Sequence, residues 1–356
     1  MARSTKGNSQ HIGAPAPVNA ALAGAALICA AASLAPRDAA AAPARARIVI
    51  FNGLGTPARA RIWGRVLEDK GHGKARVSES WYRKMRRNLS ALESDEIPNA
   101  RLKLKVLGRS YPLQADREGM FSLELSEGLT VGDHKVTASL RGKRSYRVEP
   151  GRLLIWPQKP GLLVISDIDD TVLDTGVTSK WKLVKRVLVR SSRDLRSFDH
   201  CPALYRAWSR RGAALVFVSG SPVNLYPQLE HFLSLHRFPA APLLLKKLGR
   251  DPLTEQVAYK LRQIELALGL LPGYRLILVG DSGEKDPEIY REVTRRHKKR
   301  VLLAAIHRVT DEEAGAARFS GQLLFKNYNK LARELKRRDL LTDGEYRAIR
   351  DDRKGR

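Results

Sequence analysis

At 356 residues the chain has room for two domains and a tail, and with 43% hydrophobic residues it can fill real cores, which excludes a globally disordered protein. Lysine and arginine total 64 against 37 acidic residues, a formal net charge of +27. That excess points to anionic partners (phosphate esters, an acidic lipid surface or nucleic acid), although a background of solvated arginines accounts for it equally well. There are two cysteines, and Cys29 falls in the N-terminal segment. Cys201 alone supports neither a disulfide framework nor a cysteine metal site, and is expected to be an inert, packed residue.

Residues 1–44 read as a leader. Arg3 and Lys6 give a positive start, and 18–35 is rich in Ala, Leu and Ile without charge. Ala40-Ala41-Ala42 and Ala42-Pro43-Ala44 both offer small-x-small cleavage patterns. The alanine-rich stretch contains Asn19 and is weakly hydrophobic, which favours export over a membrane anchor. The expectation is a periplasmic or secreted protein. The alternative is a disordered Ala/Pro leader on a cytoplasmic one.

Residues 45–155 read as a small β-sandwich. Segments 102–106 and 121–125 alternate polar and apolar residues with period two, and 134–140 and 145–148 do so more loosely. Turns are expected at 116–119 and 128–133. Between them 81–92 looks helical and carries Arg83, Lys84, Arg86 and Arg87. It is either a solvated basic helix or a contact for an anionic surface.

From about residue 151 apolar runs alternate with helical stretches. The runs are 162–166, 214–218, 243–245, 276–279 and 301–306. This pattern predicts an α/β domain over 156–340, a mostly parallel sheet with helices on both faces. The chain from Tyr328 is expected to be helical and basic, then to fray, with 341–356 a tail.

Four motifs fall at or near the ends of those strands. Asp167, Asp169 and Thr171 follow the first, and two acids two residues apart supply a nucleophile and an acid/base. Such a pair needs a cation to stay ionised at close range, which points to Mg²⁺. Ser219 and Gly220 end the second strand, where a hydroxyl and backbone N–H groups can bind phosphoryl oxygens. Lys260 lies at the edge of the apolar stripe of a helix, a position from which a lysine can also snorkel outward. Asp281 directly follows another strand, and Asp286 lies further round a Gly loop suited to a hard, oxygen-ligated cation. Taken singly, each has an ordinary structural reading; their joint occurrence in this order is the strong signal.

The D-x-D-x-T arrangement resembles that of haloacid-dehalogenase-like (HAD) phosphohydrolases. More closely, Ser166-Asp167-Ile168-Asp169-Asp170-Thr171-Val172, Ser219-Gly220-Ser221-Pro222 and the run 280–290 resemble the actin-patch-associated phosphatidate phosphatases and their bacterial relatives. Asn52-Gly53-Leu54-Gly55-Thr56-Pro57 and Gly64-Arg65-Val66-Leu67 are similar to that family's β domain. The leader departs from the cytoplasmic fungal members, and a cytoskeletal role is not supported.

The resemblance implies an HAD-like catalytic domain that hydrolyses phosphatidate to diacylglycerol. In that scheme Asp167 is the nucleophile, Asp169 the acid/base and Thr171 a fixing residue. Ser219 and Lys260 hold phosphoryl oxygens, and Mg²⁺ is held by Asp167, the Asp169 carbonyl, Asp281 and Asp286, unless Asp286 instead pairs with Lys260. A cap is expected over 174–211, where Lys180, Trp181 and Lys182 suit an anionic phospholipid at a membrane surface. A folded cap helix with a solvated basic face fits the same residues. Two other readings stay open: an HAD phosphatase acting on a soluble or nucleic-acid phosphate ester, and a non-catalytic binder of anionic membranes. No specific nucleic acid is expected, and the sequence names no protein partner.

Overall fold

Arg101, Lys103 and Lys105 are exposed while Leu102, Leu104 and Val106 are buried, and this strict alternation makes Arg101–Val106 a one-sided strand. Among the described residues it is the fourth of nine strands in the N-terminal half: β1 Arg45–Ile50, β2 Gly53–Thr56, β3 Arg59–Asp69, β4 Arg101–Val106, β5 Arg109–Gln114, β6 Met120–Ser126, β7 Gly132–Leu140, β8 Tyr146–Glu149 and β9 Gly151–Ile155. The computed structural model describes residues 45–69, 96–126, 128–142, 145–174, 195–247 and 256–352. The leader, the expected helix at 81–92 and cap residues Lys180, Trp181 and Lys182 lie outside them.

The nine strands hydrogen-bond as one path, β5-β4-β7-β9-β2-β3-β1-β8, with β6 also on β3. Sequence patterning suggested a small sandwich; the pairing is a single continuous mixed sheet. Its apolar residues gather in one core that includes Ile48, Ile62, Leu104, Phe121, Val136 and Leu153.

Six parallel strands form the second sheet, in the order β14-β13-β10-β15-β16-β17. They are β10 Leu162–Ser166, β13 Ala214–Pro222, β14 Leu243–Lys246, β15 Arg275–Asp281, β16 Val301–His307 and β17 Leu323–Phe325. Every described pairing in it is parallel. The two-residue strands β11 Leu173–Asp174 and β12 Arg196–Ser197 pair separately. The helices are α1 Cys201–Arg210, α2 Tyr226–Leu235, α3 Gln256–Leu270, α4 Asp286–Arg296, α5 Tyr328–Arg337 and α6 Asp343–Asp351.

Alternate side chains of the parallel strands go to opposite faces. Val164, Leu215 and Ile277 pack with α1, α2, α5 and α6, while Leu163, Val216 and Leu276 pack with α3 and α4. Burial on both faces explains why these strands read as unbroken apolar runs rather than alternating ones. The strand order reverses at β10, so the carboxyl end of β10 is the switch point where an open parallel sheet places its ligand.

Two boundaries differ from expectation. The cap was expected to reach 211, but Cys201–Arg210 is a core helix with Tyr205, Trp208 and Cys201 fully buried; burial pushes the Cys201 thiol up, as suits an inert residue. The insert therefore lies between β11 and β12. Residues 341–352 of the expected tail do not fray: α6 opens on a Thr342–Glu345 capping box and buries Ile349 in the same core.

The two halves share one compact unit, 43–356. Val49 and Phe51 of the first sheet's region join the α/β core, and Phe51 stacks on Tyr226 at 4.1 Å between centroids. Asn52 N–H donates to the Tyr226 hydroxyl at 2.7 Å, and the Asn52 side chain donates to the Ala241 carbonyl at 3.1 Å.

Candidate active site

Asp167 follows the last residue of β10, and its backbone N–H donates to the Val279 carbonyl of β15 at 2.9 Å. Asp169 stands two residues on, so the loop from the central strand delivers both acids to the switch point. Asp170 between Asp169 and Thr171 has φ 54°, a left-handed conformation in which Asp is among the tolerated residues. His307 Nδ1 lies 2.9 Å from the Asp170 carbonyl, and the Tyr328 hydroxyl donates to the Thr171 carbonyl at 2.5 Å. These contacts hold the loop backbone. The Thr171 hydroxyl itself is buried and makes no hydrogen bond.

Lys260 does not snorkel. It is 1% exposed, and its ammonium donates to Asp167 Oδ1 at 2.8 Å, Asp286 Oδ1 at 2.6 Å and Glu284 Oε2 at 3.3 Å. Asp286 thus takes the lysine-pairing role. Its other oxygen accepts from Asp281 N–H at 3.3 Å. Gly280 permits this approach, because a Cβ there would lie 2.7 Å from both the Asp286 Cβ and the Tyr290 ring.

Ser219 sits at a register shift between β13 and β14, the kind of irregularity that re-aims side chains beside active sites. Its hydroxyl donates to Asp169 Oδ2 at 2.9 Å, and Ser221 Oγ donates to the same oxygen at 2.9 Å. Ser219, expected to face phosphoryl oxygens, is here engaged with the second acid. Gly220 packs near the Gln256 side chain.

Asp281 ends β15. Its Oδ1 accepts from Gly283 N–H at 2.6 Å and Glu284 N–H at 3.1 Å. One oxygen of each central acid is left over: Asp167 Oδ2, Asp169 Oδ1 and Asp281 Oδ2 are buried with no hydrogen-bond partner. Oxygens of Asp167, Asp281 and Glu284 lie within 4.8 Å of one another. Orphaned buried acceptors and convergent hard oxygen donors fit a divalent cation.

The electrostatics agree. Five carboxyls (Asp167, Asp169, Asp281, Glu284 and Asp286) share this region with the Lys260 ammonium. Burial, with Asp286, Glu284 and Asp169 nearby, holds Asp167 well above the usual carboxylate range despite Lys260. Burial, then the Glu284 charge, pushes Asp169 up to about 6, against the two serine hydrogen bonds. Burial also raises Asp281 and Asp286. Although burial works against its charge, Asp167, Asp286 and Glu284 together hold the Lys260 ammonium above its ordinary value.

Sequence reasoning missed Glu284, Ser221 and Gln256. The Gln256 side chain donates to Glu284, tying α3 to the loop after β15. The S-G-S spacing was a usable signal for Ser221, since residues two apart on a strand share a face. Glu284 was visible only as one acid inside G-D-S-G-E-K-D.

Residues 162–308 match the family described as "Phosphatidate phosphatase APP1, catalytic domain". Phosphatidate phosphatase APP1 of Saccharomyces cerevisiae is 30% identical over 154 residues, covering 41% of this chain and 26% of that protein. The segment belongs to the APP1 catalytic-domain family. An uncharacterized Schizosaccharomyces pombe protein is 26% identical over 214 residues, covering 59% of this chain and 34% of its own length. The chain thus spans about a third or less of these curated relatives. Among solved structures, a class C acid phosphatase from Bacillus anthracis aligns at 16% identity over 55% of this chain and 79% of that one, with a TM-score of 0.29, too slight a likeness to support an argument. The APP1 match starts at β10, so the nine N-terminal strands fall outside it.

Proposed function

We propose that the chain is an HAD-like, Mg²⁺-dependent phosphatidate phosphatase that releases phosphate and diacylglycerol through an aspartyl-phosphate on Asp167. The observation that carries this reading is the division of labour within Asp167: Oδ1 is fixed by Lys260, and Oδ2 is buried without a partner. Oδ2 forms the bond to phosphorus as the lipid oxygen–phosphorus bond breaks. Asp169, raised to about 6, gives its proton to the departing diacylglycerol oxygen. It then takes a proton from the water that hydrolyses the aspartyl-phosphate, which releases phosphate and restores Asp167. Ser219 and Ser221 fix one oxygen of Asp169 and leave the other to exchange protons. Lys260 holds the nucleophile and offsets charge on the transferring group.

Asp167, Asp281 and Glu284 would hold Mg²⁺, with the Asp169 carbonyl added by family resemblance. Asp286, already committed to Lys260, acts outside that set. When bound, the cation neutralises charge on the phosphoryl oxygens. Substrate selection is assigned to the insert with Lys180, Trp181 and Lys182, where two cations flank an aromatic suited to headgroup depth. The proposed setting is the surface of an anionic membrane, with 1–44 directing export. Among the described residues no helix is long and apolar enough to cross a bilayer.

The test compares turnover of phosphatidate in mixed micelles with turnover of soluble monoesters and 3′- or 5′-phosphorylated oligonucleotides under Mg²⁺. A kcat/KM for phosphatidate at least about tenfold above the rest supports the reading. Preference for a soluble or polynucleotide ester would replace the substrate, and no turnover of any ester would replace the enzyme by a membrane binder.

A further inference from the structure

Asp281 and Glu284 depend on the path of the loop between them, and one side chain from outside the family-matched segment holds that path. Arg318 lies in the short turn Ala317–Phe319, ten residues past the end of the match at 308. Its guanidinium donates from Nη1 to the Ser282 carbonyl at 3.3 Å and from Nη2 to the Glu284 carbonyl at 2.5 Å. The same two nitrogens reach Glu312 Oε1 at 2.7 Å and Glu288 Oε2 at 3.1 Å. A planar fork of donors can hold two carbonyls and two carboxylates at once, which a single ammonium cannot.

The loop held in this way does specific work. Gly283 N–H and Glu284 N–H grip Asp281 Oδ1, so the backbone between 282 and 284 decides how Asp281 Oδ2 is presented. The same backbone aims the Glu284 carboxylate at Lys260 and Gln256 and toward Asp167 and Asp281. Ser282 is tied independently: its hydroxyl accepts from Val309 and Thr310 N–H at 3.0 and 3.1 Å, and its own N–H donates to the His307 carbonyl.

We propose that Arg318 is the positioning residue of the acid loop: by gripping the Ser282 and Glu284 carbonyls it pre-sets Asp281 and Glu284 for a divalent cation. The inference deepens the cation-dependent reading above and rests on it. Arg318 grips the loop backbone and acts through it. Partners of this kind, one step removed from a metal's ligands, typically change affinity by about 10- to 100-fold when removed.

Calorimetric titration of cation-stripped protein with MgCl₂ alone, without substrate, tests it. Arg318→Gln should bind Mg²⁺ about 10- to 100-fold more weakly than wild type, with an unchanged near-ultraviolet circular dichroism spectrum. Arg318→Lys should remain weak, because it restores charge without the fork, and it serves if the glutamine variant fails to fold. Added guanidinium should recover part of the affinity in Arg318→Ala, whereas added ammonium should not. A folded variant whose dissociation constant stays within about twofold of wild type overturns the inference, as does a lowered cation-free melting temperature with unchanged affinity, which would make Arg318 a structural staple. Failure of wild type itself to bind Mg²⁺ would overturn the cation-dependent reading along with it.

Discussion

Lys260 Nζ lies 2.8 Å from Asp167 Oδ1 although the two residues are 93 apart in sequence, and this bond leaves Asp167 Oδ2 as a buried oxygen with no partner. A helix and a strand end meet here to make an asymmetric carboxylate, one oxygen anchored and one available. Anchoring removes rotational freedom from the proposed nucleophile before any substrate arrives.

Replacing Lys260 with Met keeps the helix and the approximate volume but strands the buried Asp167 and Asp286 carboxylates. Removing one partner of a buried ion pair costs about 3–5 kcal/mol. Urea unfolding at neutral pH without added cation should show a loss of that size, and a smaller one at pH 5, where the stranded carboxyls can hold protons. A loss under about 1 kcal/mol at neutral pH would show that Lys260 is not holding these charges.

The acid cluster sets a sign for pH dependence. Folding raises Asp167, Asp169, Asp281 and Asp286, with Asp169 at about 6. Between the ordinary carboxyl range and those raised values the folded protein carries more protons than the unfolded chain, so this cluster's contribution to stability falls as pH rises. Lys260 is raised too, but its contribution is lost only at much higher pH. The gain in melting temperature on adding Mg²⁺ to EDTA-treated protein should therefore be larger at pH 7 than at pH 5. An equal or larger gain at pH 5 would contradict the assignment of these acids to a cation site.

Gly280→Ala should disturb the site without touching a functional group. The new Cβ would press on Asp286 and the Tyr290 ring at the start of α4. Such overpacking costs about 1–3 kcal/mol. Denaturant midpoints should fall accordingly, and Mg²⁺ affinity should weaken as Asp286 shifts away from the Asp281 N–H. Unchanged midpoints and affinity would mean that α4 yields freely.

Much of the catalytic half was legible because its strands are buried on both faces. Runs such as 162–165 and 276–279 are unbroken apolar stretches, and each is followed two residues later by an acid, Asp167 or Asp281, so strand and site announce each other. Lys260 was placed correctly on its helix, but whether it pointed in or out depended on partners at 167 and 286, which periodicity cannot supply. Glu284 and Arg318 were hidden for a related reason: their roles depend on how an irregular loop folds back, and neither belongs to a repeating pattern. The N-terminal strands β2 and β3 were under-read because Gly53, Gly55 and Gly64 break the apolar rhythm, where close contacts exclude a side chain. The packing of α6 was missed because one apolar residue, Ile349, carries its burial.

Asp167→Asn should lower turnover at least about thousandfold, as loss of a nucleophile does, and leave the circular dichroism spectrum unchanged, since the amide keeps the shape of the side chain. Residual activity within about tenfold of wild type would remove Asp167 from that role.

The most direct test of the account is to capture the covalent intermediate. Wild-type protein turning over phosphatidate with Mg²⁺ is quenched rapidly, treated with borohydride, which reduces an acyl phosphate to an alcohol, and mapped by peptide mass spectrometry. The account predicts homoserine at position 167, dependent on phosphatidate and absent from position 169. Steady turnover with no reduction product at 167, or with the product at another acid, would contradict it.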